Sequence, residues 1–369
     1  MNEKKRFIIS GGGTGGHIFP AIAIANQLKQ EIPDAEILFI GASDKMEMQR
    51  VPDAGYKIEG LHIYGISRGH SAREIKKNLR LPFIVVKALK RAKNIIKEFK
   101  PDAVIGVGGF ASFAALRSAN KLGIPTLIQE QNSYPGITNK KLAGKVNRIC
   151  VAYDGLEKYF PAEKIVKTGN PIRKEILQIE KKKAESFAAF GLQPGIKTLL
   201  VVGGSLGAKT INETMTANID KIKQMGIQLL WQTGENYFKA NQMELSMMQS
   251  DSIKIVPFIK NMNDAYGIAD YIISRAGALA IAELSIIGTP TVLVPFPYAA
   301  EDHQTKNAMA LVNKGAALIV SDSDAREKLI PSFEKMVQDE ALCTSLAQNM
   351  AQFAEPDAVK KIAENILAL

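Results

Sequence analysis

Two turns dense in glycine constrain this chain more than any other feature. Gly11-Gly12-Gly13-Thr14-Gly15-Gly16-His17 follows the apolar run Phe7-Ile8-Ile9, and Gly203-Gly204-Ser205-Leu206-Gly207 follows Thr198-Leu199-Leu200-Val201-Val202 about half a chain later. Each turn opens a stretch of helical character, so each is a strand, glycine loop, helix unit. Such a unit brings backbone N–H groups to a helix N-terminus, where the aligned peptide dipoles favour an anion. Two of them spaced this way predict an α/β fold of two doubly wound halves facing a central cleft, and they point to nucleotide or phosphate chemistry.

The remaining apolar runs extend the pattern. Ile37–Ile40, Ala103–Val107, Thr126–Ile128 and Arg148–Val151 alternate with helical stretches in the first half. Gln228–Trp231, Ile253–Val256, Tyr271–Ser274 and Thr291–Val294 do so in the second. Alternation of this kind means parallel sheets covered on both faces. A chain of 369 residues suits two such domains, with the hinge placed at Gly169-Asn170-Pro171. The expected division is 1–168, 169–345, and a last helix at 346–369 that packs back across the junction.

Several classes are disfavoured. No uninterrupted apolar stretch of membrane-spanning length is present, and the start leads directly into a short strand, so the chain is expected to stay in the cytoplasm. Cys150 and Cys343 have no paired spacing, which points neither to a disulfide framework nor to a thiolate metal site. Residues 68–100 hold eleven Lys or Arg against two Glu, which accounts for +9 of the formal +10. The basicity therefore belongs to one surface. Ser71 with Glu74 reads as a capping box, and Pro82 suits the first turn of a second helix. Val85 or Val86, Leu89, Ala92, Ile96 and Phe99 then form the apolar face, with Lys87, Lys90, Arg91 and Lys97 opposite. Such a pair of basic amphipathic helices fits an anionic membrane surface, each basic residue adding about 1 kcal/mol. Nucleic acid is disfavoured because no aromatic residues interleave with the basic ones.

Gly11-x-Gly13-x-x-Gly16 has the dinucleotide spacing, but no acid stands at the tip of the next strand, Phe39-Ile40-Gly41-Ala42-Ser43. The loop also lacks the Lys and Ser or Thr of a nucleotide-hydrolysing loop. His17, in the first turn of its helix, is a candidate general base, because the positive end of the dipole favours neutral imidazole. Asp322-Ser323-Asp324 reads as a helix cap, and no metal is expected. Ser274 to Glu283 forms a third strand-to-helix turn, where Glu283 can accept hydrogen bonds from a ribose diol. Glu301-Asp302-His303-Gln304 and Asn307 supply polar groups suited to sugar hydroxyls.

Gly11 to Pro20, Glu130-Gln131-Asn132, Gly169 to Arg173, Gly203-Gly204-Ser205, Ser274 to Glu283, and Asp302-His303-Gln304 with Asn307 occur in the order seen in the MurG family. The chain resembles that family over nearly its whole length. The resemblance implies a GT-B fold and a metal-independent, cofactor-free, inverting transfer of N-acetylglucosamine (GlcNAc) from UDP-GlcNAc. The acceptor is lipid I, the undecaprenyl-pyrophosphoryl muramyl pentapeptide, and the product is lipid II. It implies that Thr14, Gly15, Gly16, Asn132, Arg173, Ser205, Ile259, Ala278, Leu279, Glu283 and Gln304 meet the donor. The acceptor pyrophosphate would lie on the turn at Gly13 to Gly16, with His17 as base and Glu130 second. It further implies a peripheral place on the cytoplasmic face of the plasma membrane, beside other proteins of cell-wall synthesis and division. Phe110, Ala280 and Leu206 depart from the common pattern, which has Tyr, Thr or Ser, and Gln there. A UDP-GlcNAc 2-epimerase, a transferase with another lipid acceptor such as diacylglycerol, a non-catalytic nucleotide-sensing scaffold and, least of all, a nicotinamide dehydrogenase are the competing readings.

Overall fold

A computed structural model describes residues 4–65, 72–204 and 206–369, without the side chains of 72–77 and 300. The chain divides into two units, Met1–Ile172 with Asp357–Leu369, and Arg173–Pro356.

The first unit is built on a seven-stranded parallel sheet. Its strands are β1 (Arg6–Gly11), β2 (Glu36–Ala42), β3 (Lys57–Leu61), β4 (Ala103–Gly108), β5 (Thr126–Glu130), β6 (Arg148–Val151) and β7 (Ile165–Lys167). They lie in the order β3-β2-β1-β4-β5-β6-β7. Successive residues of β1 point to opposite faces, and both faces are packed. Phe7 and Ile9 meet Ile18, Ala21, Ile24 and Leu28 of the helix Gly15–Glu31. Ile8 joins the other layer, with Ala88, Ala92, Ile95 and Ile96 of the helix Ala72–Phe99 and Ala111, Ala115 and Leu116 of the helix Phe110–Lys121.

The second unit repeats the plan with six parallel strands: β8 (Thr198–Val202), β9 (Gln228–Gln232), β10 (Ile253–Val256), β11 (Tyr271–Ser274), β12 (Thr291–Leu293) and β13 (Leu318–Ile319). Their order is β10-β9-β8-β11-β12-β13. Leu199, Val201, Trp231 and Ile273 pack on Ile211 and Met215 of the helix Lys209–Ala217 and on Leu329 and Phe333 of the helix Ala325–Gln338. The doubly wound α/β class expected from the glycine turns is what the chain adopts.

The local expectations need four corrections. β3, β7 and β13 were not foreseen, because each is short and lies at a sheet edge, where one side needs no apolar run. The basic segment is one helix, Ala72–Phe99, with Pro82 inside it. A proline forfeits one backbone hydrogen bond, and the buried stripe Ala88, Ala92, Ile95 and Ile96 keeps the helix continuous beyond it. Ser71 lies outside the described residues. The C-terminal stretch expected as a single helix from 346 is two, Glu340–Ala351 and Ala358–Leu367, separated by a non-helical stretch, 352–357, that contains Pro356. Asp324 precedes the helix Ala325–Gln338 without a side-chain cap bond. Its carboxylate accepts from Lys328 Nζ at 2.9 Å instead.

The helix Ala358–Leu367 buries Ile362, Ala363 and Ile366 in the layer formed by the helix Gly15–Glu31, and Arg148 Nη1 donates to Asn365 Oδ1 at 2.9 Å. Ile362→Ala and Ile366→Ala are each expected to destabilise the first unit by about 2–5 kcal/mol, the range for emptying a buried aliphatic site. Urea unfolding checks this, and midpoints equal to the parent's would contradict the assigned packing.

Candidate functional site

Sheet order locates the binding edges. In each sheet the strand order reverses beside the first strand, between β1 and β4 and between β8 and β11. Ligands of such sheets sit outside the carboxyl ends of the strands at that reversal. The glycine turns after β1 and β8, the Gly108-Gly109 turn after β4 and the Arg275-Ala276-Gly277 turn after β11 all lie there.

In the first unit the glycine turn is anchored from below. The buried carboxylate of Glu47 accepts from Gly13 N at 2.9 Å and from Ala42 N at 3.0 Å. A Cβ at Gly12 would come within 2.0 Å of Glu47 Oε1, so glycine leaves the room the carboxylate fills. Glu47 carries no signal in the sequence, because the acid of a dinucleotide site stands at the strand tip, facing a ribose. It lies a turn later and points inward. The Gly13 amide, expected at the acceptor pyrophosphate, is thus engaged by Glu47. The helix begins at Gly15 after Thr14, so the Gly15 and Gly16 amides are those that helix geometry leaves for an anion.

His17 Nδ1 lies 3.0 Å from Gly12 O. A carbonyl only accepts, so the neutral ring carries its hydrogen on Nδ1 and its basic lone pair on Nε2. Gly108 and Gly109, at φ 109° and 89°, make room for this arrangement. Added Cβ atoms would stand 2.7 Å from His17 Nε2 and 2.7 Å from Gly12 O respectively.

Glu130 is buried at the end of β5. Its Oε1 accepts from Asn132 N at 3.0 Å and Asn132 Nδ2 at 3.2 Å, and its Oε2 from Gly136 N at 3.1 Å and Asn139 Nδ2 at 2.7 Å. Four donors on one carboxylate fix the loop 131–139. Beside it Asn170 Nδ2 donates to Gln131 O at 2.9 Å, and Gln129 Nε2 to Asn170 Oδ1 at 3.1 Å.

In the second unit Glu283, on the helix Ala278–Ile287, is the centre of a cluster. Its Oε1 accepts from Arg173 Nε at 3.1 Å and Nη2 at 2.9 Å, and its Oε2 accepts from Tyr266 Oη at 3.1 Å. Burial and then the negative charge of Glu283 push the Tyr266 phenol well above its usual range, so it remains a donor. Arg173 and Glu283, both expected at the donor site, are brought together; Tyr266 carried no sequence signal. Gln232 Nε2 donates to Gly204 O at 3.0 Å while its Oε1 accepts from Ile259 N at 2.8 Å. The Ile259 amide being used, its carbonyl is the group that can read a base edge. Gln304 Oε1 accepts from Phe296 N at 2.9 Å, and its Nε2 is chemically a donor. Ala278 and Leu279 form the first turn of the helix that carries Glu283. Arg275, part of the third strand-to-helix turn but given no role of its own by the sequence, donates through Nη1 to Val294 O and Pro295 O at 3.1 and 3.0 Å and lies 2.5 Å from Asp322 Oδ1. It ties three strand ends into one edge. Ser205 lies outside the described residues. Among the described residues no group of three or more His, Cys, Asp or Glu could hold a metal ion.

On the helix Ala72–Phe99, Leu79, Phe83 and Val86 are 72, 76 and 65% exposed, and their spacing puts them on one face. Exposed Lys90, Lys93 and Lys97 continue that face, with Lys87 beside it. Val86 therefore belongs to the surface rather than the core. Arg91 instead pairs with Glu59 Oε2 at 2.8 Å. No helix of the described residues is long and apolar enough to cross a membrane.

Comparison with known proteins matches residues 7–151 to the glycosyltransferase family 28 N-terminal domain and 198–366 to its C-terminal domain. A UDP-N-acetylglucosamine--N-acetylmuramyl-(pentapeptide) pyrophosphoryl-undecaprenol N-acetylglucosamine transferase of Cytophaga hutchinsonii is 51% identical, over 100% of this chain and 98% of its own. The protein of the same name from Parabacteroides distasonis is also 51% identical, over 100% and 99%. The crystal structure of MurG from Acinetobacter baumannii superposes with a TM-score of 0.80 at 33% identity, over 99% of this chain and 100% of its own. A UDP-GlcNAc 2-epimerase from Neisseria meningitidis, at 18% identity and a TM-score of 0.67, covering 99% of this chain and 100% of its own, shares the fold alone. With both halves matched and half of its residues shared with full-length relatives, this chain belongs to the MurG family of glycosyltransferase family 28 enzymes.

Proposed function

We propose that this chain transfers GlcNAc from UDP-GlcNAc to the muramyl hydroxyl of lipid I, giving lipid II with inversion at the anomeric carbon. What carries the reading is that relatives half identical along the full chain bear this activity in their names, and it is supported by the helix N-termini and polar side chains at both sheet reversals. The N-terminal unit takes the acceptor, its pyrophosphate on the amides of Thr14, Gly15 and Gly16. The C-terminal unit takes the donor, with Glu283 reading the ribose, the Ile259 carbonyl the uracil, Arg173 and the glycine turn with Ser205 the diphosphate, and Gln304 the sugar.

In the reaction the acceptor hydroxyl oxygen forms a bond to the anomeric carbon as the bond from that carbon to the diphosphate oxygen breaks. His17 Nε2 takes the hydroxyl proton. UDP leaves with the electron pair, and its charge is met by backbone amides at helix N-termini, which asks for no essential metal. Glu130 is a positioning residue, since four donors already occupy its carboxylate. The exposed stripe Leu79, Phe83 and Val86 with Lys87, Lys90 and Lys97 rests on the anionic cytoplasmic face of the membrane that holds the acceptor. The fold shared with 2-epimerases favours no epimerase reading, because fold does not set chemistry.

Label from UDP-GlcNAc should pass into the organic phase in the presence of lipid I and a chelator. Formation of UDP-ManNAc without such transfer would sink the reading. His17→Ala should lower kcat by about 100- to 10,000-fold, the usual worth of a general base, with UDP affinity kept; a parent-like kcat counts against the role. Glu47→Gln leaves one buried N–H facing an amide nitrogen, at a cost of about 1–3 kcal/mol. It should raise the KM for lipid I and spare that for UDP-GlcNAc, and an effect on the donor alone would refute the anchoring role. Reversing Lys87, Lys90 and Lys97 to Glu should weaken sedimentation with anionic vesicles by at least about tenfold; unaltered sedimentation speaks against the membrane face.

A further inference from the structure

The Arg173–Glu283 pair joins two groups that the proposed reaction needs for different parts of one ligand, and this inference rests on that reading. A carboxylate offers about four lone-pair positions. Arg173 takes two of them on Oε1 through Nε and Nη2, and Tyr266 takes one on Oε2. One is left. A ribose diol donating from both its 2′ and 3′ hydroxyls needs two, so it must displace at least one bond that Glu283 already accepts.

The two partners of Glu283 differ in how readily they yield. Tyr266 is buried among the core residues and, kept protonated, has no other charge to seek. The Arg173 side chain is 45% exposed against 13% for Glu283, so the guanidinium swings into water at little steric cost while the carboxylate stays. Its fork matches phosphate oxygens as well as it matches a carboxylate.

We propose that Arg173 and the ribose diol compete for Oε1 of Glu283, with Tyr266 holding the carboxylate in place, so that the site selects nucleoside diphosphates over nucleosides. A nucleoside must break the ion pair and offers the freed guanidinium nothing. A nucleoside diphosphate breaks it and supplies the anion that Arg173 then binds. Arg173 is thereby a specificity-determining residue, and Tyr266 a positioning residue for Glu283.

The test is isothermal titration of the full chain and of Arg173→Gln with uridine, 2′,3′-dideoxyuridine and UDP. Removing the competitor should tighten uridine by about fivefold, the scale of a partly exposed ion pair. It should weaken UDP by about tenfold or more through the lost phosphate contact. Dideoxyuridine, which lacks the diol, should bind both proteins alike. In Tyr266→Phe, where a second lone-pair position is open without displacing Arg173, the gain in uridine affinity on adding Arg173→Gln should shrink, with dideoxyuridine unchanged. Uridine binding that is equal or weaker in Arg173→Gln, with UDP still binding the parent, overturns the exchange alone. A parent chain that binds no UDP overturns both the exchange and the reading on which it rests.

Discussion

Parallel pairing is the constraint on which the rest depends. In a parallel sheet every strand must be returned by a crossover, so helices cover both faces and all strands end on one edge. In both units the crossovers run outward from the first strand in two directions, which leaves adjacent strand ends whose connections diverge. The turns at that edge can then be spent on ligands, because the core is already closed by side chains such as Ile8 and Ile9 on opposite faces of β1.

Three glutamates show how burial divides labour among chemically identical groups. Glu47 and Glu130 are sealed and hold hydrogen bonds from their own chain, two on Glu47 and four on Glu130, so each fixes a loop. Breaking such a buried set leaves donors without partners and costs far more than forming it gained. Glu283 is more accessible and one of its partners is a half-exposed arginine, so its bonds can be exchanged. The first two give the edge its shape, and the third gives it a response.

The fold class was legible from the glycine turns and the apolar runs because buried central strands need both. Edge strands β3, β7 and β13 were not, since a strand exposed on one side makes weaker demands on composition. Pro82 read as a helix start because its local effect is a lost hydrogen bond, whereas the packing of Ala88, Ala92, Ile95 and Ile96 decided the outcome. The site residues followed from motif order, while their partners did not. Glu47, Tyr266, Gln232 and Arg275 act across 17 to 47 residues of sequence, and no local pattern announces a side chain that turns inward to hold a loop. Glycine at 12 and 41 was the one trace of Glu47, for each leaves space its side chain fills.

The helix Ala358–Leu367 makes the first unit discontinuous in sequence while the second is continuous. During synthesis the chain emerges from its N-terminus, so the layer around the helix Gly15–Glu31 stays uncovered until the helix Ala358–Leu367 leaves the ribosome. The second unit has all of its strands before then. The half that is made first is therefore completed last, and a chain stopped short of Ile362 presents an open apolar face to any chaperone or protease it meets.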